Sequence, residues 1–139
     1  MDAFVDSVVL IGAFYRNDQW HRQAGPIINE IDAGSGRAYV TDFILAEVLN
    51  FLHQKAGHAA AVETLLALEA AENINLVRIT DVQFASGKAY FERYSRLSLV
   101  DALTVACMKD LEITRLYSFD SDFDGIEGII RLTQPLEDS

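Results

Sequence analysis

The stretch AFVDSVVLIGAF, residues 3–14, decides how the rest of the chain is read. Three apolar residues, Ala3 to Val5, run into Asp6, and a second apolar run of helical length starts at Ser7. A short apolar strand passing directly into a helix is the opening of a strand–helix unit, and such units build parallel sheets covered by helices. Asp6 then stands where the carboxyl end of a parallel strand opens onto a functional crevice. Its apolar neighbours predict burial, and a buried carboxylate needs a partner or a metal. The structural alternative is that Asp6 or Ser7 caps the following helix.

Working outward, the alternation persists to the end of the chain. Further strands are expected at Ala38 to Val40, Leu76 to Ile79, Arg115 to Tyr117 and Ile129 to Leu132. Helices are expected over Ser7 to Tyr15, and over His21 to Ala33, which stops at Gly34-Ser35-Gly36. Phe43 to Lys55 carries Leu45, Val48, Leu49 and Leu52 at one-face spacing and is closed by Gly57. His58 to Glu72 reads as its hairpin partner. Asp81 is the expected N-cap of Val82 to Tyr94, and Ser98 that of Leu99 to Leu111. With no repeat or linker, residues 1–139 are read as one α/β domain with a parallel sheet.

Half of the residues are hydrophobic and 23% charged, ordinary usage that excludes disorder and fibrous repeats. The apolar run at the start is broken by Asp6, lacks a basic flank and is too short to cross a bilayer, so no membrane role is expected. Cys107 is the single cysteine, which suits a reducing cytoplasm. The net charge of −10 opposes nucleic-acid binding by bulk electrostatics. Two readings reconcile it with a nucleic-acid substrate: carboxylates offset by divalent metal, or a cell interior or partner that favours an acidic surface.

Three more acids stand in places that need explanation. Glu47 lies in FILAEVL, residues 43–49, inside a helix apolar nearly all round, so burial is expected and glutamate is seldom buried unpaired. Asp101 follows Ser98 in an S-x-x-D capping pattern, a position from which it can also face a metal. In YSFDSDFDG, residues 117–125, three aspartates alternate after a strand. An EF-hand loop opening at Asp120 would need Glu at its twelfth position, where Arg131 stands instead, and is rejected. Asp120, nearest the strand end, is the leading ligand, with Asp122 or Asp124 as auxiliaries.

If the strands preceding these acids are neighbours, Asp6, Glu47, Asp101 and Asp120 gather at one sheet edge. Carboxylates so placed raise one another's pKa, and a divalent cation keeps them ionised. All-oxygen ligation favours Mg²⁺ or Mn²⁺, which retain water and can activate it against phosphorus. His21, His53 and His58 are scattered, no glycine-rich phosphate loop follows a strand, and Cys107 lacks a local partner, so other catalytic constellations lack support.

The segments FVDSVVLIGAF, TDFILAEVLNFL, LSLVDALTVACM and RLYSFDSDFDGI resemble the successive motifs of PIN domains, especially those of VapC-type toxins. In that family an Asp after the first strand, a Glu in the helix after the second, an Asp opening a late helix and an Asp in a T/S-x-D turn bind metal. These match Asp6, Glu47, Asp101 and Asp120. The resemblance implies a Rossmann-like α/β/α sandwich around a five-stranded parallel sheet. It also implies Mg²⁺-dependent cleavage of single-stranded RNA, homodimers, and neutralisation by a small VapB-like antitoxin. Ser118, where the family often has Thr, and Ser7 beside Asp6 are expected to support the ligands. Arg93 and Arg96 are the candidate phosphate contacts.

Rival readings are a PIN nuclease of RNA processing, a PIN-like binding module without chemistry, and an aspartyl-phosphate enzyme. The last is disfavoured. A receiver domain wants adjacent acids after its first strand, and a haloacid-dehalogenase-like phosphatase wants DxD where this chain has Asp6-Ser7-Val8.

Overall fold

The computed structural model describes residues 1–136; the last three residues of the 1–139 span expected for the domain lie outside it. Its first strand, β1 (Ala3–Val5), is buried throughout. Ala3 and Val5 enter the core on one face and Phe4 enters a second core on the other. Side chains alternate across a strand, so a strand covered on both faces must be apolar at every position.

β1 sits at the centre. With β2 (Ala38–Thr41), β3 (Ile74–Val77), β4 (Arg115–Tyr117) and β5 (Ile130–Leu132) it forms a five-stranded sheet ordered β3-β2-β1-β4-β5. All four pairings are parallel. On one face lie α1 (Ser7–Phe14), α2 (His21–Asp32), α3 (Asp42–Ala56) and α4 (His58–Ala70), whose Val9, Leu10, Ile27, Ile44, Val48 and Leu68 share a core with Val5 and Val40. On the other, α6 (Leu99–Asp110) packs Val105 and Met108 against Phe4 and Leu116, and α5 (Asp81–Arg93) packs on α6. This is the expected α/β/α sandwich. Among the described residues no helix is long and apolar enough to cross a membrane.

The chain builds outward from β1 through β2 to β3, then returns to the opposite side of β1 for β4 and β5. The strand order therefore reverses between β1 and β4, and in open parallel sheets ligands bind at such a point, beyond the carboxyl ends.

Two local expectations are corrected. The third strand runs from Ile74 to Val77, two residues before the expected Leu76 to Ile79, because the Ile79 N–H donates to Asp42 Oδ1 at 3.1 Å instead of to a neighbouring strand. The cap of α5 is Thr80, not Asp81: Thr80 Oγ1 accepts from the Gln83 N–H at 3.1 Å, and Gln83 Oε1 accepts from the Thr80 N–H at 3.0 Å. Asp81 is instead the first helical residue.

Candidate active site

Asp6 leaves β1 with its N–H donated to the Tyr117 carbonyl at 3.0 Å, which continues the β1–β4 pairing by one step. Its side chain is 2% exposed, and both oxygens are engaged. Oδ1 accepts from the Ser7 N–H at 2.9 Å, capping α1, and Oδ2 accepts from the Ser118 hydroxyl at 2.8 Å. The buried Ser118 Oγ also accepts from the Asp120 N–H at 3.0 Å. One hydroxyl thus ties together the chain segments leaving β1 and β4. Ser7, also buried, contributes only its backbone N–H to this arrangement.

Asp120 begins the 3₁₀ turn Ser121–Phe123, its Oδ1 accepting from the Asp122 N–H at 2.9 Å. Asp101 lies in the first turn of α6, where its N–H donates to Ser98 Oγ at 3.1 Å and its Oδ2 accepts from the Ser98 N–H at 3.3 Å. Capping does not compete with facing the site. Glu47 departs from expectation: it is exposed, because α3 buries the stripe Ile44, Val48 and Leu52, and Glu47 lies off it. It stands at the rim.

Asp6 and Asp101 are perturbed by burial and by the acids around them. Burial first, then Asp101, pushes the Asp6 carboxyl up to about 7, against the hydrogen bonds from Ser118 and Ser7; Glu47 adds a smaller push. Asp101 rises to about 6, again mainly through burial, with repulsion from Asp120 and Glu47 outweighed individually by its bonds to Ser98. Among the described residues, no three His, Cys, Asp or Glu side chains are drawn close enough to close on one ion in this arrangement. The donor set still fits a hard divalent cation: all oxygen, at the carboxyl end of the sheet, with ionisation of Asp6 and Asp101 opposed in the absence of a counter-charge.

An open cavity of about 570 Å³ lies elsewhere, lined by Met1, Asp2, Tyr39 and residues 111–115, toward the amino ends of β1, β2 and β4. None of the four acids lines it. Coupled charge, rather than concavity, marks the site.

Sequence reading missed Arg131. Its Nε and Nη2 bind the two carboxylate oxygens of Asp124 at 2.8 and 3.0 Å, and its Nη1 donates to the Ser118 carbonyl at 3.3 Å. Asp124 is thereby committed to an arginine rather than free to serve as an auxiliary ligand, and this pairing holds its carboxyl below the usual range. Arg96 reaches the same loop, donating from Nη2 to the Asp124 carbonyl at 2.7 Å. Arg93 lies instead over the Tyr94 ring, 5.1 Å from its centre. Between Ser118 and Asp120, Phe119 stacks on Trp20 with ring centres 4.6 Å apart, fixing the loop before α2 against the site.

Comparison with known proteins bears on the fold and the family. Two relatives, a VapC ribonuclease of Mycobacterium bovis and ribonuclease VapC13 of Mycobacterium tuberculosis, are each 49% identical to this chain over 53 residues. Those segments are 38% of this chain and only 39% of each relative's length. Among solved structures, the sarcin-ricin-loop-cleaving toxin VapC20 of Mycobacterium tuberculosis superposes with a TM-score of 0.79 at 22% identity, covering 90% of this chain and 95% of that one. A toxin–antitoxin complex from Klebsiella pneumoniae gives 0.69 at 21% identity, covering 92% and 95%. VapBC2 from Rickettsia felis, bound to promoter DNA, gives 0.72 at 10%, covering 95% and 98%. The family model of the PIN domain matches residues 3–129, and the chain belongs to that family.

Proposed function

We propose that this chain is a metal-dependent endoribonuclease of the VapC toxin type, a single-domain hydrolase of phosphodiester bonds in single-stranded RNA. The observation that carries the reading is the buried Asp6 at the β1–β4 switch point, joined through Ser118 to the Asp120 turn, with the charges of Asp101 and Glu47 acting on it. Asp6, Asp101 and Asp120 would hold Mg²⁺ or Mn²⁺, with Glu47 closing the site from the rim and Asp122 in reach of the same turn. Bound there, such an ion would supply charge for the phosphodiester oxygens and acidity for a water nucleophile.

The chain's own groups prepare that site. Ser118 orients Asp6 and Asp120 through one hydroxyl, and Ser7 and Ser98 fix the Asp6 and Asp101 carboxyls at helix starts. The outer face of α4 supports a protein partner: Val62 and Leu66, one turn apart, stand 38% and 60% exposed. Exposed apolar surface marks interfaces, consistent with a homodimer and with a VapB-like antitoxin in the cytoplasm. The test is to incubate purified protein with RNA and Mg²⁺ and to sequence the products. Defined internal cuts that vanish with chelator and with Asp101→Asn are expected; intact RNA at every metal tried would defeat the proposal.

A further inference from the structure

The strand that enters the candidate site must be held, in a chain of net charge −10, by local cations. Two arginines from separate segments converge beside Asp120. Arg96, just before α6, donates to the Asp124 carbonyl, and Arg131, on β5, takes both Asp124 carboxylate oxygens and the Ser118 carbonyl. Ser118 is the residue whose hydroxyl binds Asp6 and the Asp120 N–H, so the Arg131 guanidinium reaches the same peptide segment that organises the acids. Arg131 also feels the negative charge of Asp120 directly.

Donor counting shows what Arg131 has left. A guanidinium carries five N–H donors. One on Nε and one on Nη2 go to Asp124, and one on Nη1 goes to Ser118. One hydrogen on Nη1 and one on Nη2 remain, on a side chain still 19% exposed. Asp124 holds the plane fixed, which lowers the entropic cost of presenting those two donors to an anion.

Building on the ribonuclease reading above, we infer that Arg131, oriented by Asp124 and flanked by Arg96, is a phosphate subsite for the backbone of single-stranded RNA on the Asp120 side of the acids. A bidentate guanidinium matches two phosphate oxygens, and such a contact fixes strand register without reading sequence. Arg93, turned onto Tyr94, stands outside this subsite.

The alternative is a latch that only braces the Asp120 loop, and the two roles differ in the salt slope and in how Asp124 and Arg131 variants compare. The test follows anisotropy of a fluorescein-labelled oligouridylate across a salt series, with Ca²⁺ replacing Mg²⁺ and RNA integrity checked on gels. Arg131→Ala should weaken binding roughly tenfold and shallow the log–log salt slope by about 0.7, the increment for one phosphate contact on a single strand. Arg131→Lys should retain the slope with part of the affinity. Asp124→Asn, which loses one of the two acceptors that fix the guanidinium but also the charge that competes with phosphate, should weaken binding less than Arg131→Ala and keep the wild-type salt slope. Arg37→Ala, exposed before β2 at the far end of the strands, serves as control and should change neither quantity. An unchanged slope in Arg131→Ala, or equal weakening in Asp124→Asn and Arg131→Ala with similar melting temperatures, overturns the subsite. Should wild type neither bind nor cleave any RNA, the ribonuclease reading itself fails, a separate result.

Discussion

Asp6 accepts two hydrogen bonds that favour its charged form, yet it lies at 2% exposure beside other acids, and burial wins: its carboxyl rises from 3.8 to about 7, with Asp101 rising to about 6. Between pH 3.8 and about 7 the folded protein therefore binds more protons than the unfolded chain, so metal-free stability falls as pH rises through that window. The melting temperature without metal should be higher at pH 5 than at pH 8, and Mg²⁺ should recover the difference at pH 8. Asp6→Asn should abolish cleavage while raising the metal-free melting temperature at pH 8; a lower melting temperature there would show that the Ser7 and Ser118 bonds outweigh the burial cost. Asp6, Asp101 and Asp120 were legible as candidates because each acid follows a strand or opens a helix among apolar neighbours. Glu47 was misplaced because local apolar density suggested burial, whereas helical phase puts Ile44, Val48 and Leu52 inside and Glu47 outside. The Arg131–Asp124 pair could not be read at all: it depends on how the turn after Asp120 folds back onto β5, not on spacing. Strain also sits at one residue. Glu112 has φ 57° where α6 ends in a Schellman motif, with Ile113 N–H to the Met108 carbonyl at 2.9 Å and Glu112 N–H to the Lys109 carbonyl at 3.2 Å. Glu112→Gly should stabilise the protein by roughly 1 kcal/mol in urea unfolding, the left-handed penalty exceeding the added chain entropy.

At the scale of elements, helix starts proved more legible than strand edges. Ser98 with Asp101 forms the capping box its pattern suggests, since the bonds are local and the residue types nearly dictate them. The third strand shifted by two residues because its end is set by a long-range bond, Ile79 N–H to Asp42 Oδ1, between segments 37 positions apart. Helix contacts are equally hidden in sequence. A Cβ at Gly87 would stand 2.5 Å from Leu103 Cδ2 and 3.1 Å from Leu103 Cα, so α5 reaches α6 through a position that admits no side chain. The leucine tip can turn aside, but its backbone cannot without moving α6, which carries Asp101. Gly87→Ala should therefore destabilise the fold by about 1–3 kcal/mol, the usual cost of overpacking, despite alanine's better helix propensity. Chemical unfolding measures this directly, and a neutral or stabilised Gly87→Ala would mean that α5 and α6 separate more easily than their contact suggests. Activity should fall by more than the small loss of folded fraction, because a sub-ångström displacement of α6 moves one of the four acids.

For the whole molecule, sheet order and charge act together. Placing β1 between β2 and β4 ties Asp6 to the segment of Asp120 through Ser118 and leaves it within reach of the charges of Asp101 and Glu47. The alternation of strands and helices made the parallel sheet legible, whereas the reversal beside β1 was not, since composition and periodicity carry no strand order. Selectivity follows from the same layout. With a net charge of −10, general attraction for RNA is weak, so on the proposed ribonuclease reading binding would fall to the metal and to the arginines near Asp124. A single strand can bend its scissile phosphate toward carboxylates that lie behind a rim; a stiff A-form duplex presents its phosphates on a fixed cylinder and cannot. Single-stranded RNA should accordingly be cut faster than a matched duplex by at least roughly tenfold, a margin of only about 1.4 kcal/mol. Cleavage should decline with salt and cease on chelation. The decisive measurement times both substrates over a salt series, with Mg²⁺, Mn²⁺ or chelator present. Equal rates on the two forms would place the scissile phosphate outside the rim, while cleavage surviving full chelation would remove the acids from the chemistry.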